Sequence, residues 1–76
     1  MASLDISLYP NPVNGAMLNV SGTDEATYKI YSILGQQMAQ GKVDNGMIPV
    51  SQIQAGTYLI ELTSKGQTVV KRFIKQ

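Results

Sequence analysis

The sequence predicts an all-β fold, an immunoglobulin-like β-sandwich of about seven short, mostly antiparallel strands. Apolar and polar residues alternate with a period of two along most of the chain, as in half-buried strands. Turn signals rich in Gly, Asn, Asp and Ser recur roughly every 8–12 residues. A chain of 76 residues suffices for one small core. We expect residues 4–76 to form this single domain and residues 1–3 to be a vector-derived leader.

Four strands are expected in the first half of the chain, around residues 4–9, 18–20, 27–31 and 37–42. Pro10 ends the first of them, because proline has no amide hydrogen and a fixed φ. Pro12 stiffens the same loop, and Asn14-Gly15 then supplies a tight reversal of the chain. These residues explain the loop as a structural connection without any binding partner.

Three strands are expected in the second half of the chain, around residues 47–50, 57–63 and 67–75. Asn45-Gly46 predicts a type I′ hairpin turn, because both residues tolerate the positive φ angles of that turn. Pro49 favours an edge position for the strand around residues 47–50, in which it lies. Between the strands, residues 51–55 are predicted to form one helical turn with Ile53 packed inward.

The last strand departs from simple alternation, since Val69 and Val70 are adjacent, as are Phe73 and Ile74. Such pairs indicate either that both faces of the strand are covered or that a β-bulge switches the buried face part-way.

The Gly56-Thr57-Tyr58 sequence has the spacing of a tyrosine corner, in which a tyrosine hydroxyl bonds the backbone a few residues upstream. Ile60 stands where an antibody domain has its second cysteine, so apolar packing would replace the disulfide. The alternative is that Tyr58 is only a core aromatic.

The composition excludes most enzyme chemistry, because the chain has neither histidine nor cysteine. The carboxylates are expected on solvated strand faces or in turns, and their spacing does not resemble a calcium loop. They are Asp5, Asp24, Glu25, Asp44 and Glu61. We therefore expect no catalytic residues, no metal and no cofactor.

Other partner classes are also disfavoured by the sequence. The net charge is +1, and the basic residues cluster only at Lys71, Arg72 and Lys75, so no nucleic-acid partner is expected. No apolar run approaches the roughly 20 residues of a membrane span. Tyr9 and Tyr31 are the only spare aromatic residues, and a carbohydrate-binding or adhesive module would need them on one flat face.

Four segments in a fixed order carry a family resemblance: "LYPNPVNG", "YKIYSILGQQM", "IPVSQIQAGTYLIEL" and a terminal "KRFIK". Together they resemble the C-terminal sorting domain of the type IX (Por) secretion system of Bacteroidetes. The resemblance covers residues 4–75, and the order and spacing of the segments are more specific than any one of them.

The resemblance implies a non-catalytic secretion signal with an immunoglobulin-like fold at the C-terminus of a cargo protein. Such a signal directs cargo from the periplasm through the outer-membrane translocon, and a sortase-like peptidase often removes it and anchors the cargo at the cell surface. Six matching positions are expected to be mostly structural: Pro10, Asn11, Pro12, Gly35, Gly56 and Tyr58. Five are candidates for recognition by the translocon: Lys71, Arg72, Phe73, Ile74 and Lys75.

Two interpretations of the basic terminal strand stay open. Lysines on an edge strand discourage unwanted strand pairing. A partner could instead recognise the strand by strand addition or charge, and two copies of the domain could pair through it. The alternatives for the whole chain are a carbohydrate-binding or adhesive module, and a structural accessory domain of a secreted enzyme.

Overall fold

The computed structural model describes residues 6–23 and 25–76, which form seven strands in two antiparallel sheets. In chain order the strands are β1 (Ser7–Tyr9), β2 (Met17–Ser21), β3 (Thr27–Ser32), β4 (Gln37–Lys42), β5 (Met47–Pro49), β6 (Gly56–Ser64) and β7 (Gln67–Lys75). The predicted all-β sandwich is confirmed. Leu4, Asp5 and Asp24 lie outside the described residues, so their predicted places in a strand and a turn stay predictions.

The two sheets have the orders β1-β2-β5 and β4-β3-β6-β7. The chain crosses from the first sheet to the second between β2 and β3, returns between β4 and β5, and crosses again before β6. An immunoglobulin constant domain places its fourth strand in the sheet of its first, second and fifth strands. Here β4 pairs with β3 instead, which gives an immunoglobulin-like sandwich of three and four strands.

The core lies between the two sheets and is filled by alternate residues of each strand. The fully or almost fully buried apolar side chains include Leu18, Val20, Tyr28, Ile30, Ile48, Tyr58, Ile60, Leu62 and Phe73. The period of two in the sequence therefore marked the buried faces of β2, β3 and β6. Ile60, at the place of the antibody cysteine, is buried in this apolar core.

The predicted turn chemistry is present between β4 and β5. Asn45 and Gly46 have φ angles of 53° and 71°, and Asp44 and Met47 exchange two backbone hydrogen bonds of 3.0 and 3.1 Å. The type I′ hairpin is confirmed. The segment after β5 is a single turn closed by the Ile53 amide and the Val50 carbonyl at 3.4 Å, with Ile53 buried as predicted.

The expectation of a bulge or of two covered faces in the last strand is wrong. β7 keeps one uninterrupted register against β6, from the Gly56–Lys75 pair to the Ser64–Gln67 pair. Phe73 is fully buried, whereas Val70 is 58% exposed on the outer face of the sheet. One face of β7 packs on the core and the other stays open. The register instead shifts between β3 and β4, at Ile30 and Tyr31.

The strand directions give the sandwich two distinct ends. At the proximal end β1 begins, Ser7 pairs with Ser21, and a short connection leads from β2 to β3. The β6–β7 turn lies at this end too. The distal end carries the connections 10–16, 33–36 and 50–55 together with the chain end at 75–76. A polypeptide that precedes Ile6 therefore joins the domain at the proximal end.

Candidate functional site

The loop after β1 is bound to the outer edge of the terminal strand. The Asn11 side-chain Nδ2 donates a hydrogen bond to the Arg72 carbonyl at 3.2 Å. The Ile74 amide donates to Asn11 Oδ1 at 2.9 Å. One carboxamide thus donates and accepts along the same strand edge, as the backbone of a neighbouring strand would.

Val13 continues this pairing with its backbone. Its amide donates to the Ile74 carbonyl at 2.8 Å, and its carbonyl accepts from the Gln76 amide at 2.8 Å. These bonds form an isolated parallel bridge between Val13 and Lys75, while the Val13 side chain is fully buried in the core. We call residues 11–13 and their four hydrogen bonds, three to β7 and one to Gln76, the clasp.

Prolines flank Asn11 on both sides, and both peptide bonds that precede them, Tyr9–Pro10 and Asn11–Pro12, are cis. Neither proline has an amide hydrogen, so neither adds a donor that the exposed loop would have to satisfy. Their fixed φ angles limit the freedom of the backbone around Asn11.

The clasp brings together two motifs that stand at opposite ends of the sequence. Asn11 and Arg72 are 61 residues apart, and no local pattern relates them. The sequence predicts only a connection at Pro10 to Pro12 and a candidate recognition site at the terminal strand alone. In the structure these residues form one unit at the distal end.

Tyr58 anchors the terminal strand from the core side. Its hydroxyl donates to the Gln54 carbonyl at 2.6 Å, so the predicted tyrosine corner is present. Its buried ring stacks on Phe73, with ring centroids 5.6 Å apart. Gly56 begins β6 opposite Lys75. Phe73 therefore lies on a tyrosine that is itself fixed to the backbone, while the neighbours of Phe73 on either side are held by the clasp.

The five candidate recognition residues have different accessibility. Phe73 is fully buried and therefore part of the core in the folded domain. Lys71, Arg72 and Ile74 are exposed, and Lys75 is half-buried. A partner of the folded domain can thus contact the cationic and aliphatic side chains of this strand, but not its aromatic ring.

Part of the β7 edge is left without a partner strand. The clasp occupies the outward peptide groups of Ile74 and the carbonyl of Arg72. By the alternation of an antiparallel strand, the peptide groups of Thr68 and Val70 face the same way. Among residues 6–23 and 25–76 no group bonds them. The open stretch of edge is therefore the half nearest the proximal end.

Gly35 lies at the distal end in the β3–β4 hairpin, with a φ of 90° that favours glycine. Its amide donates to the Ser32 carbonyl at 2.9 Å and closes the turn. The structure thus supplies a backbone role for Gly35. Gly35 takes no part in the four hydrogen bonds of the clasp.

Tyr9 and Tyr31 do not form one flat face. Tyr9 is exposed on β1, in the three-stranded sheet, and Tyr31 is half-buried on the outer face of the four-stranded sheet. The two rings stand on opposite sides of the sandwich. The platform that a carbohydrate-binding module would need from these two residues is therefore missing.

An open polar concavity of about 1020 Å³ lies at the proximal end, beside Thr23, Glu25 and Ser64. The hydroxyls there are already engaged, since Ser64 Oγ and Thr23 Oγ1 both donate to the Glu25 carbonyl, at 2.7 and 2.9 Å. These hydrogen bonds stabilise the turn. Because both hydroxyls donate to a backbone carbonyl and not to a general base, neither is activated as a nucleophile. Residues 6–23 and 25–76 contain no group of three carboxylates that could hold a metal ion.

The fold and the clasp define a class of protein, a small immunoglobulin-like sandwich whose first loop is bonded to its last strand. The chain belongs to the family of secretion system C-terminal sorting domains, whose family model matches residues 7–76. It is also 30% identical over 70 residues to Beta-agarase D of Zobellia galactanivorans. That match covers 91% of this chain but 14% of the agarase, so the chain spans a small part of that relative's length.

Family membership confirms the expected function in its general form. The chain is a C-terminal sorting domain of the type IX kind, a secretion signal carried by cargo proteins and recognised by secretion machinery. Cargo with such a tail is exported to the cell surface or beyond. The family is one of sorting signals and not of catalysts. No helix in the described part of the chain is long and apolar enough to cross a membrane.

Proposed function

We propose that this domain has no catalytic activity and is recognised at its distal end by the outer-membrane type IX translocon. The cargo would pass through the periplasm before recognition, and a sortase-like peptidase would then remove the domain and anchor the cargo. The clasp is the observation that carries this proposal. It fixes the backbone that carries the exposed side chains of Arg72 and Ile74, on a strand held from both sides.

A fixed strand favours recognition because little side-chain and loop ordering remains when the partner binds. β7 pairs with β6 along nine residues, the clasp holds its outer edge, and Phe73 is buried beneath it. The exposed Lys71 and Arg72 can then meet acidic groups of the partner with their backbone already in place. Charge at the rim of an interface mainly increases the association rate and the specificity for the partner.

The position of the carboxylates supports the absence of catalysis. Glu25 and Asp44 lie at the proximal end, and Glu61 stands on the outer face of the four-stranded sheet opposite Lys29. No two of these three side chains share a cleft, whereas acid–base catalysis needs converging groups in a shaped site.

Two copies of the domain could pair through the part of the β7 edge that the clasp leaves open, at Thr68 and Val70.

The proposal is tested by fusing the chain to a periplasm-targeted reporter in a type IX-competent bacterium. We expect export of the intact fusion and about tenfold less export of the Lys71→Ala/Arg72→Ala variant. The matched control is Lys29→Ala/Lys42→Ala, which removes the same charge from the proximal half and should be exported normally. Lack of export of the intact fusion would overturn the proposed function. Equal loss in both variants would show that net charge, not the terminal strand, is recognised.

A further inference from the structure

The most exposed aliphatic side chains of the described residues are adjacent in the β3–β4 hairpin. Ile33 is 67% exposed and Leu34 is 92% exposed, and we call this pair the aliphatic tip. Both lie at the distal end, in the connection between Ser32 and Gln37. Single exposed apolar residues are ordinary on protein surfaces. Two bulky ones side by side at the centre of a tight turn are not, because such positions usually carry Gly, Pro, Asn, Asp or Ser.

The aliphatic tip is held rigidly by one residue. The Ser32 carbonyl accepts from the Gly35 amide at 2.9 Å, and the Ser32 amide donates to the Gln36 carbonyl at 2.8 Å. Its Oγ also accepts from the amides of Leu34 and Gln36, at 3.3 and 3.2 Å. With Gly35 at a φ of 90°, this is a tight turn followed by a left-handed residue. The turn presents both side chains to solvent in a defined geometry.

The aliphatic tip contributes nothing to the core, since neither side chain is buried. A polar residue at either position would satisfy the same backbone hydrogen bonds. The fold therefore gives no reason for Ile33 and Leu34. Their apolar character points to a surface that covers them.

The aliphatic tip lies at the same end of the domain as the clasp. In the four-stranded sheet Ser32 pairs with Tyr58, and Tyr58 pairs with Phe73. Neighbouring strands lie about 4.8 Å apart, so the hairpin that carries the tip leaves the sheet about 10 Å from β7. The tip and the terminal strand extend from the same end. β1 begins at the other end.

The charged side chains that the structure describes in the distal half are all positive. Arg72 and Lys75 lie there, whereas the described Asp and Glu side chains, Glu25, Asp44 and Glu61, all lie in the proximal half. A partner of the distal end is thus expected to combine an apolar pocket with acidic groups around it.

We infer that the aliphatic tip is a second contact with the translocon, inserted into an apolar pocket of one of its proteins. This inference rests on the proposed function and adds a contact beside the terminal strand. A protein partner fits better than a lipid surface, because even one myristoyl chain gives only marginal membrane binding and two aliphatic side chains bury less. An aromatic or aliphatic side chain in a pocket can instead form the central anchor of a protein interface.

The export assay tests the contact with Ile33→Ser/Leu34→Ser, and Met47→Ser is the matched control at an exposed apolar position of the proximal end. We expect about tenfold less export for the tip variant and normal export for the control. Thermal unfolding of the purified variants should show no loss of stability for the tip variant. Normal export of a folded tip variant, with the intact fusion also exported, would overturn this inference alone. Failure of the intact fusion would overturn the proposed function and the inference together.

A second measurement identifies the surface that covers the tip. The chain has no cysteine, so Leu34→Cys provides a single attachment point for a benzophenone photo-crosslinker. The labelled chain is irradiated with detergent-solubilised outer membranes, in which the periplasmic face is accessible, from the type IX-competent strain and from a strain that lacks the translocon. A crosslink to a translocon protein, present with the first membranes and absent for a probe at Met47→Cys, supports the inference. Crosslinks only to lipid, or none, would overturn it.

Discussion

The side-chain carboxamide of Asn11 bonds the carbonyl of Arg72 and the amide of Ile74, 61 and 63 residues further along the chain. A single side chain thereby takes the place of a strand at the edge of the four-stranded sheet. This relationship makes the stability of the terminal strand depend on the first loop of the domain. It also supplies the first of four tests.

Replacing Asn11 with Ala should destabilise the domain and loosen the end of β7. The change removes both side-chain bonds and leaves the Ile74 amide without its acceptor. We expect a loss of roughly 1–2 kcal/mol in the free energy of unfolding, which lowers the Tm by roughly 5–10 °C. Hydrogen exchange of the Ile74 amide should accelerate as well. Asn14→Ala is the control, because Asn14 is exposed and makes no such bond; an equal effect there would contradict the role of the clasp.

Replacing Tyr58 with Phe should test the tyrosine corner without emptying the core. The ring that stacks on Phe73 stays, but the 2.6 Å bond to the Gln54 carbonyl is lost. A decrease of about 1–1.5 kcal/mol in unfolding free energy is expected from urea denaturation. Tyr31→Phe, which removes a hydroxyl from a half-buried ring on the outer face, should change stability by less than about 0.5 kcal/mol. Similar losses in the two variants would argue against the corner.

Replacing Gly41 with Ala should destabilise the domain, because the cross-strand partner of Gly41 is the bulky Tyr28. A Cβ at this position would lie 3.0 Å from the Tyr28 hydroxyl and 3.2 Å from two of its ring carbons. The buried Tyr28 ring has little room to move, so we expect a loss of about 1–3 kcal/mol by urea denaturation. Gly15→Ala is the comparison, since nothing lies within 4 Å of its Cβ position. Unchanged stability of the Gly41 variant would show that the ring shifts freely.

Replacing Phe73 with Ala should destabilise the domain strongly, whereas Ile74→Ala should have a small effect. Phe73 is fully buried, and removal of a buried Phe side chain costs about 3–5 kcal/mol. That is a large share of the roughly 4–11 kcal/mol expected for a domain of this length. Ile74 is 40% exposed and should cost about 1 kcal/mol or less. Urea denaturation separates the two; a Phe73 variant as stable as the Ile74 variant would contradict the assigned core.

Much of the fold followed from the sequence because its causes are local. Alternation along β6 placed Tyr58, Ile60 and Leu62 inward, and Asn45-Gly46 specified its turn through the φ angles that it tolerates. The corner at Tyr58 could be expected from the spacing to Gly56, since donor and acceptor are four residues apart.

The rest depended on contacts that no local pattern encodes. The bonds of Asn11 join a side chain to backbone groups more than sixty residues away, so nothing near Asn11 in the sequence indicates them. Adjacent apolar residues in β7 suggested a second covered face, yet Val70 stands on the open one. The exposure of Ile33 and Leu34 is known only from the geometry of the hairpin.

The burial of Phe73 has a consequence for the order in which a cargo chain matures. Within this domain a ribosome makes β7 last, and a chain cut short before it lacks both a side chain at the centre of the core and the strand that Asn11 and Val13 bind. Folding of the domain therefore requires that translation has continued through β7. Cargo truncated before that strand does not present the folded domain to the export machinery.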